Sequence, residues 1–348
     1  MGRAEEDLHD ELLERVARGY FIVGLLQNDI AAAEHLSRPS VSRLLAEARA
    51  RGVVQFRIGP PVDRVRELEA ELGRRTGLRR CVVATNKPRA LYGTSSRLGY
   101  VAARYLESQL AGVGLLGVAS SRSLSSLADS LAAGYRPDLK VVDLLGCLPG
   151  GRSDEAGGSG EGSAGEGRGP NTAQLIAARL DAVFRALPAP FVYRTGAARD
   201  AALGSELVRG SLELGQRCDL ALVGVGSMQR FDGTGVYSPV TARELEVLAG
   251  QGAVGHLCGH FLCADGSLVH TEEAPFLLGI GADELRRIPQ RIAVAAGRQK
   301  VAPIAAAISG GMISELVTDH LTADALLQLL HEQNWISKPR PRPMGGWV

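Results

Sequence analysis

Lysine is scarce in this chain. Its 39 basic residues include four lysines, Lys87, Lys140, Lys300 and Lys338. Arginine is so common that a single arginine says little, whereas a lysine in a particular place says more. Cysteine is also sparse. Cys81, Cys147, Cys218, Cys258 and Cys263 are odd in number and scattered through 348 residues, which argues against a disulfide framework and for reduced, buried small hydrophobes. No apolar run approaches the roughly 20 residues of a bilayer span. The amino terminus, MGRAEEDLHDELLER, is acidic, where a secretory signal is cationic and then apolar. These absences predict a cytoplasmic chain with no membrane attachment. A dominant charge is missing too: the net charge is +1, so composition alone announces no nucleic-acid partner.

What is present suggests two domains with a substantial core, since 45% of the 348 residues are hydrophobic. The charge is unevenly distributed. From His35 to Ile58, Arg38, Arg43, Arg49, Arg51 and Arg57 stand against Glu47 alone, a patch suited to phosphates. Within it, SRPSVSRLLAEARA (37–50) reads as a helix beginning near Arg38. Ser37 can cap it, Pro39 lies in the first turn, and Val41, Leu44, Leu45 and Ala48 form an inward stripe. Arg38, Ser40, Ser42 and Arg43 remain on other faces. Helical spacing from about Glu5 to Gly19, a short helix at Gln27–Glu34 and an alternating VVQFRI (53–58) complete a helix, short helix, turn, helix and strand order. That order is a winged helix-turn-helix over residues 1–58, whose third helix would read the major groove.

QNDIA (27–31), SRPSVSRLLAEARARGVVQFRI (37–58) and several later motifs resemble the SorC family of bacterial sugar-responsive transcriptional regulators. The resemblance implies a DNA-binding module joined to a large effector domain that looks like sugar-phosphate isomerases. It places Gln27, Ser37, Arg38, Ser40, Ser42 and Arg43 as contacts to double-stranded operator DNA. Glu34 and His35 depart from the family pattern, which has an aliphatic residue and a turn glycine there; His35 reads as a turn residue. After Pro60 and Pro61, residues 59–77 form a linker helix with Val65, Leu68 and Leu72 on one side. That stripe suits either packing on the next domain or a subunit seam. Because one such module covers few base pairs, a homodimer or homotetramer is expected.

From residue 78 to 335, apolar runs at CVVAT (from Cys81), LLGVAS (Leu115), KVVDLLG (Lys140), LALVGVGS (Leu220), IAVAAG (Ile292) and ELVTD (Glu315) alternate with helical stretches. This predicts an α/β, Rossmann-like parallel sheet covered on both faces, with ligands beyond the carboxyl ends of its strands. The residues following the runs are the candidate effector site. Ser120, Ser121, Arg122 and Ser123 open a helix and could hold a phosphate with hydroxyls and backbone N–H groups; the resemblance makes this the sugar-phosphate loop, generally built of glycine and threonine. Gly146 offers close backbone approach. Gly224 and Gly226 match the family's GIG segment, with Arg230 nearby as an anion partner. AAGRQKVAPIAAAISGGMISELVTD (295–319) resembles the carboxyl-terminal signature and supplies Lys300 and Asp319.

A sugar, polyol or sugar phosphate is therefore the expected effector. No cofactor is expected, because GVG lacks the spacing of a dinucleotide fingerprint. HLCGHFLC brings His256, Cys258, His260 and Cys263 close in sequence, but structural zinc draws paired ligands from separated knuckles, and the run reads as packing. SDEAGGSGEGSAGEGRG (153–169) cannot fold alone and reads as a loop inside the effector domain, either lid or bland insertion. Residues 336–348 read as an extended tail. The alternative function is a sugar-phosphate isomerase or deaminase, which needs a positioned acid and base; Asp143 and Asp319 are isolated in sequence, so the regulator is the reading and no catalytic residue is assigned.

Overall fold

The computed structural model describes residues 3–54, 64–85, 94–147, 171–228, 241–269 and 276–333. The chain divides into two compact units, Met1–Pro61 with Ala133–Arg136, and Val62–Ala132 with Pro137–Val348.

In the first unit, α1 (Arg3–Arg18) runs into a π-helical turn, Gly19–Val23, that ends on Gly24 at φ 81°. Helices α2 (Gln27–Ala33) and α3 (Arg38–Ala50) follow. The stripe expected on α3 is buried: Val41, Leu44, Leu45 and Ala48 pack with Leu13, Val16 and Ala17 of α1 and Ile30 and Ala31 of α2. Ser37 caps α3, its Oγ accepting the Ser40 amide at 3.2 Å. The turn between α2 and α3 depends on His35, which takes φ 54°, a left-handed conformation that strains a side chain and suits glycine. Glu34 is held to α1 by Arg15, with Nη2 to Oε2 at 3.0 Å. Because the left-handed strain exceeds the entropy glycine loses on folding, His35→Gly should stabilise this unit by roughly 0.5–1 kcal/mol, read as a shift in denaturation midpoint. Of the expected wing, only Val53 and Val54 are described, as a bend; Gln55–Ile58 lie outside the described residues.

The second unit opens with α4 (Arg66–Thr76), closed by Gly77 at φ 71°. Leu72 is fully buried in the sheet's core, and Val65 and Leu68 pack against it. Glu69 fixes the helix by accepting from Arg64 Nε at 2.6 Å and from the Val83 amide at 3.0 Å. The stripe therefore packs on its own domain. Strands and helices then alternate through β1 (Arg80–Ala84), α5 (Thr94–Gln109), β2 (Leu115–Val118), α6 (Arg122–Ser130), β3 (Lys140–Asp143), α7 (Thr172–Leu180) and β4 (Val183–Arg185). Next come β5 (Val192–Tyr193), α8 (Gly196–Leu203), α9 (Glu206–Gln216), β6 (Leu220–Gly224), β7 (Gly226–Ser227), α10 (Ala242–Gly250), β8 (Ala253–Leu257) and β9 (His260–Cys263). The last described elements are β10 (Phe276–Leu277), α11 (Ala282–Arg287), β11 (Gln290–Val294), α12 (Val301–Ser309), β12 (Glu315–Asp319) and α13 (His320–Glu332).

Seven strands form one sheet in the order β1-β12-β11-β6-β2-β3-β4, every pair parallel. Its strands read as unbroken apolar runs because both faces are covered. One face packs α4, α12 and α13 around Ala293, Leu316 and Ile304. The other packs α5, α6 and α7 around Val118, Val141 and Val317. From β2 the chain steps outward through β3 to β4, then returns on β2's other side with β6, β11 and β12. The crevice between the carboxyl ends of β2 and β6 is thus the switch point, where a doubly wound sheet opens to ligand.

Candidate functional site

Ser121 leaves β2's end as the residue before α6, with extended backbone, and makes no side-chain cap. Its hydroxyl and that of Ser120 are buried without a hydrogen-bond partner. Buried orphan hydroxyls cost on the order of 1–3 kcal/mol each unless something else satisfies them. Across the crevice, Gly224 makes room for Ser121: a Cβ added to Gly224 would lie 2.3 Å from Ser121 Oγ. Arg122 opens α6, and Ser123 follows in its first turn, where Lys300 reaches it with Nζ 3.4 Å from Ser123 Oγ. Lys300 ends a 3₁₀ turn, Arg298–Lys300, after Gly297, whose φ of 119° is available to glycine. The Gly297 amide donates to Thr322 Oγ1 at 2.7 Å, fixing that turn against the start of α13. Together these residues juxtapose a helix amino terminus, one ammonium and two unsatisfied hydroxyls, an arrangement suited to an anion carrying hydroxyl groups.

Two further candidates have structural partners. Asp319 caps α13, its Oδ1 accepting the Thr322 amide at 2.8 Å. Gly146 is approached by the chain itself, since a Cβ there would meet the Pro190 and Ala189 carbonyls at 2.6 and 2.7 Å. Gly226 lies under His256, whose Nε2 would be 2.0 Å from an added Cβ. Arg230 lies outside the described residues.

Sequence reasoning missed His256 as a member of this site. It enters through an antiparallel ladder, β7-β8-β9, in which Gly226 pairs with His256, and no local pattern announces that pairing. Burial and the nearby Lys300 ammonium push its imidazole down to about 4, so it is neutral at pH 7 and offers one donor and one acceptor. HLCGHFLC itself is the β8–β9 hairpin, turning at Cys258 and Gly259 with φ 49° and 78°, as a two-residue primed turn requires. His260 Nε2 lies 2.9 Å from the Ile280 carbonyl, and burial raises the Cys258 thiol to about 12. Thr318 Oγ1, near the end of β12, is another buried hydroxyl without a partner. Asp143 ends β3 beside the crevice.

On the first unit, Ser37 Oγ and Ser40 Oγ are 2.8 Å apart at the start of α3. Arg38, Ser42 and Arg43 are exposed there, and Gln27 is half-buried at the start of α2. Two other arginines of the patch are engaged elsewhere: Arg51 pairs with Asp10 at 2.7 Å, and Arg49 lies over the Phe21 ring, while Arg57 lies outside the described residues. The early turns of α3 therefore carry its available cations. A solvent-open trough on α1 is lined by Glu11, Glu14, Arg15 and Arg18. Arg15 pairs with Glu34 and Arg18 with Glu14, so it is a salt-bridged surface.

Residues 61–328 match the family model described as "Putative sugar-binding domain". The chain is 34% identical over 330 residues to the transcriptional regulator LsrR of Klebsiella pneumoniae, covering 92% of this chain and 94% of that protein. It is 28% identical over 332 residues to the erythritol catabolism regulatory protein EryD of Brucella abortus, covering 92% and 98%. The crystal structure of the full-length sorbitol operon regulator SorC from Klebsiella pneumoniae superposes with a TM-score of 0.63 at 25% identity, covering 91% of this chain and 98% of that one. With the doubly wound sheet and the match spanning both units, the chain belongs to the SorC family of sugar-binding transcriptional regulators.

Proposed function

We propose that a sugar, polyol or sugar phosphate binds at the β2–β6 crevice and thereby changes how the chain, as a homodimer or homotetramer in the cytoplasm, holds operator DNA through α3. One observation carries the effector site: the hydroxyls of Ser120 and Ser121 are buried and unpartnered at the end of β2, with Ser121 against Gly224, in a crevice whose helix start is reached by Lys300. The names of its relatives, regulators of erythritol catabolism and of a sorbitol operon, support the polyol and sugar class. The effector must bind the DNA-competent and DNA-incompetent arrangements unequally, and DNA must alter effector affinity by the same factor. DNA-binding anisotropy on the chain's own upstream sequence, with and without a panel of sugars, polyols and their phosphates, tests this. Affinity that ignores every member of the panel would sink it.

Arg38 and Arg43 are proposed as the cationic DNA contacts and Ser42 as a polar one. Arg43→Ala should weaken operator binding about tenfold. If Arg43 holds a phosphate, the slope of log affinity against log salt should fall by about 1; if it reads a base, discrimination at one operator position should relax instead. Unchanged affinity at every salt concentration would remove α3's first turns from the interface.

A further inference from the structure

The geometry points to Asp143, oriented by Asn171, as the hydroxyl-recognising end of the crevice. The effector is then a compound with an anionic group at Lys300 and a hydroxyl-bearing end at β3. The inference rests on the effector-site reading above and deepens it.

Asp143 is the last residue of β3 and is 6% exposed. The register pairs it with Val118 of β2, and the Leu144 amide donates to the Val118 carbonyl at 3.0 Å. Two residues beyond Val118 is Ser120, so the carboxyl and the orphan hydroxyls cluster at adjacent strand ends. Asn171 holds the carboxyl in a defined orientation. Its Nδ2 donates to Asp143 Oδ2 at 2.8 Å, while its Oδ1 accepts the Gln174 amide at 2.7 Å as the cap of α7. The cap alone accounts for Asn171's carbonyl but gives no reason for an acid beneath it. The first turns of α6 and α7 meet where Ser125 Oγ and Thr172 Oγ1 are 3.3 Å apart.

One amide donor does not offset the cost of burying a carboxyl, and burial raises Asp143 to about 7 despite the Asn171 hydrogen bond. An acid placed this expensively at a ligand crevice fits a binding role better than a packing one. Its chemistry is specific. A carboxylate accepts hydrogen bonds from hydroxyls and repels phosphate, while the neighbouring amide or a serine hydroxyl can complete a donor and acceptor pair for vicinal hydroxyls. Above pH 7, where the carboxyl is ionised, repulsion at β3 and attraction at Lys300 orient the ligand in one direction.

The test uses the full chain and five probes: inorganic phosphate, erythritol, sorbitol, erythritol 4-phosphate and sorbitol 6-phosphate. Affinities are measured by calorimetry for wild type, Asp143→Ala, Asp143→Asn and Lys300→Ala, each first checked for a native thermal transition. The expected result is that at least one hydroxylated phosphate binds wild type tenfold or more tightly than inorganic phosphate. Asp143→Ala should remove that advantage while leaving inorganic phosphate affinity within twofold, and Asp143→Asn should lose less. Equal affinity of hydroxylated and inorganic phosphates for wild type, or a hydroxylated phosphate that binds Asp143→Ala and Asp143→Asn as well as wild type while Lys300→Ala weakens it, overturns the inference and leaves the site reading standing. Wild type that binds none of the probes, or binding indifferent to Lys300→Ala, overturns the site reading and the inference with it.

Discussion

Gly224→Ala should abolish the effector response and leave operator binding intact. The added Cβ would lie 2.3 Å from Ser121 Oγ and 2.7 Å from Ser121 Cβ, and the second of these distances cannot be relieved by rotating the hydroxyl. Ser121 would have to retreat from the strand end, carrying the start of α6 with it. The substitution therefore acts on the crevice at its narrowest place. Overpacking of this kind costs about 1–3 kcal/mol of stability, so a fold with the usual margin survives it. A binding site whose donors must converge within a few tenths of an ångström does not. The expected effect is a loss of effector affinity of at least a hundredfold, about 2.7 kcal/mol by the usual conversion. It would be seen as the disappearance of the ligand-dependent thermal shift, with DNA anisotropy unchanged in the ligand's absence. Wild-type ligand affinity in this variant would place the effector somewhere other than between β2 and β6.

Most of the sheet could be read locally because its strands are apolar on both faces: all six apolar runs noted in the sequence lie in it. The seventh strand, β4, escaped notice. Val183 and Phe184 are half-buried and Arg185 exposed, so it has neither the length nor the hydrophobicity of its neighbours. The small ladder of β7, β8 and β9 was missed for another reason: its hairpin carries His256, Cys258, His260 and Cys263, residue types that suggest ligation before they suggest a turn. Cys258 at φ 49° is uncommon for a non-glycine residue, and nothing in its side chain announces it.

The candidate site was legible only in pieces. Each piece is a strand ending, and strand endings can be found along the chain. What joins them is strand order, which follows from crossover connections and has no local signature. Thus the serines after β2 and the glycines after β6 can each be found locally, and the family resemblance assigns both to one effector site, but that Ser121 packs directly on Gly224 follows from strand order. Gly146 shows the reverse case. A glycine after a strand suggests room for a ligand, but here the room is filled by the Ala189 and Pro190 carbonyls. A glycine's missing side chain identifies a close approach without identifying what approaches.

Asp143→Asn should stabilise the ligand-free chain at pH 8 and have little effect near pH 4. In the folded chain the carboxyl titrates near 7, raised by burial against the one hydrogen bond from Asn171. In the unfolded chain it titrates near its ordinary value of about 3.9. Between those values the folded state holds the proton and the unfolded state has lost it, so wild-type stability falls as pH rises across the window and is level above it. The full shift corresponds to on the order of 4 kcal/mol, which a neutral, isosteric amide should recover where the carboxylate is ionised. The measurement is the denaturant midpoint of both proteins at pH 4, 6 and 8; a difference that does not grow with pH would mean that Asp143 is solvated in the folded chain. The same substitution separates stability from recognition. If Asp143 accepts hydroxyls from the effector, the amide variant will be the more stable protein and the weaker binder, and the carboxyl's cost in the empty crevice will be recovered when ligand hydroxyls supply the hydrogen bonds it lacks.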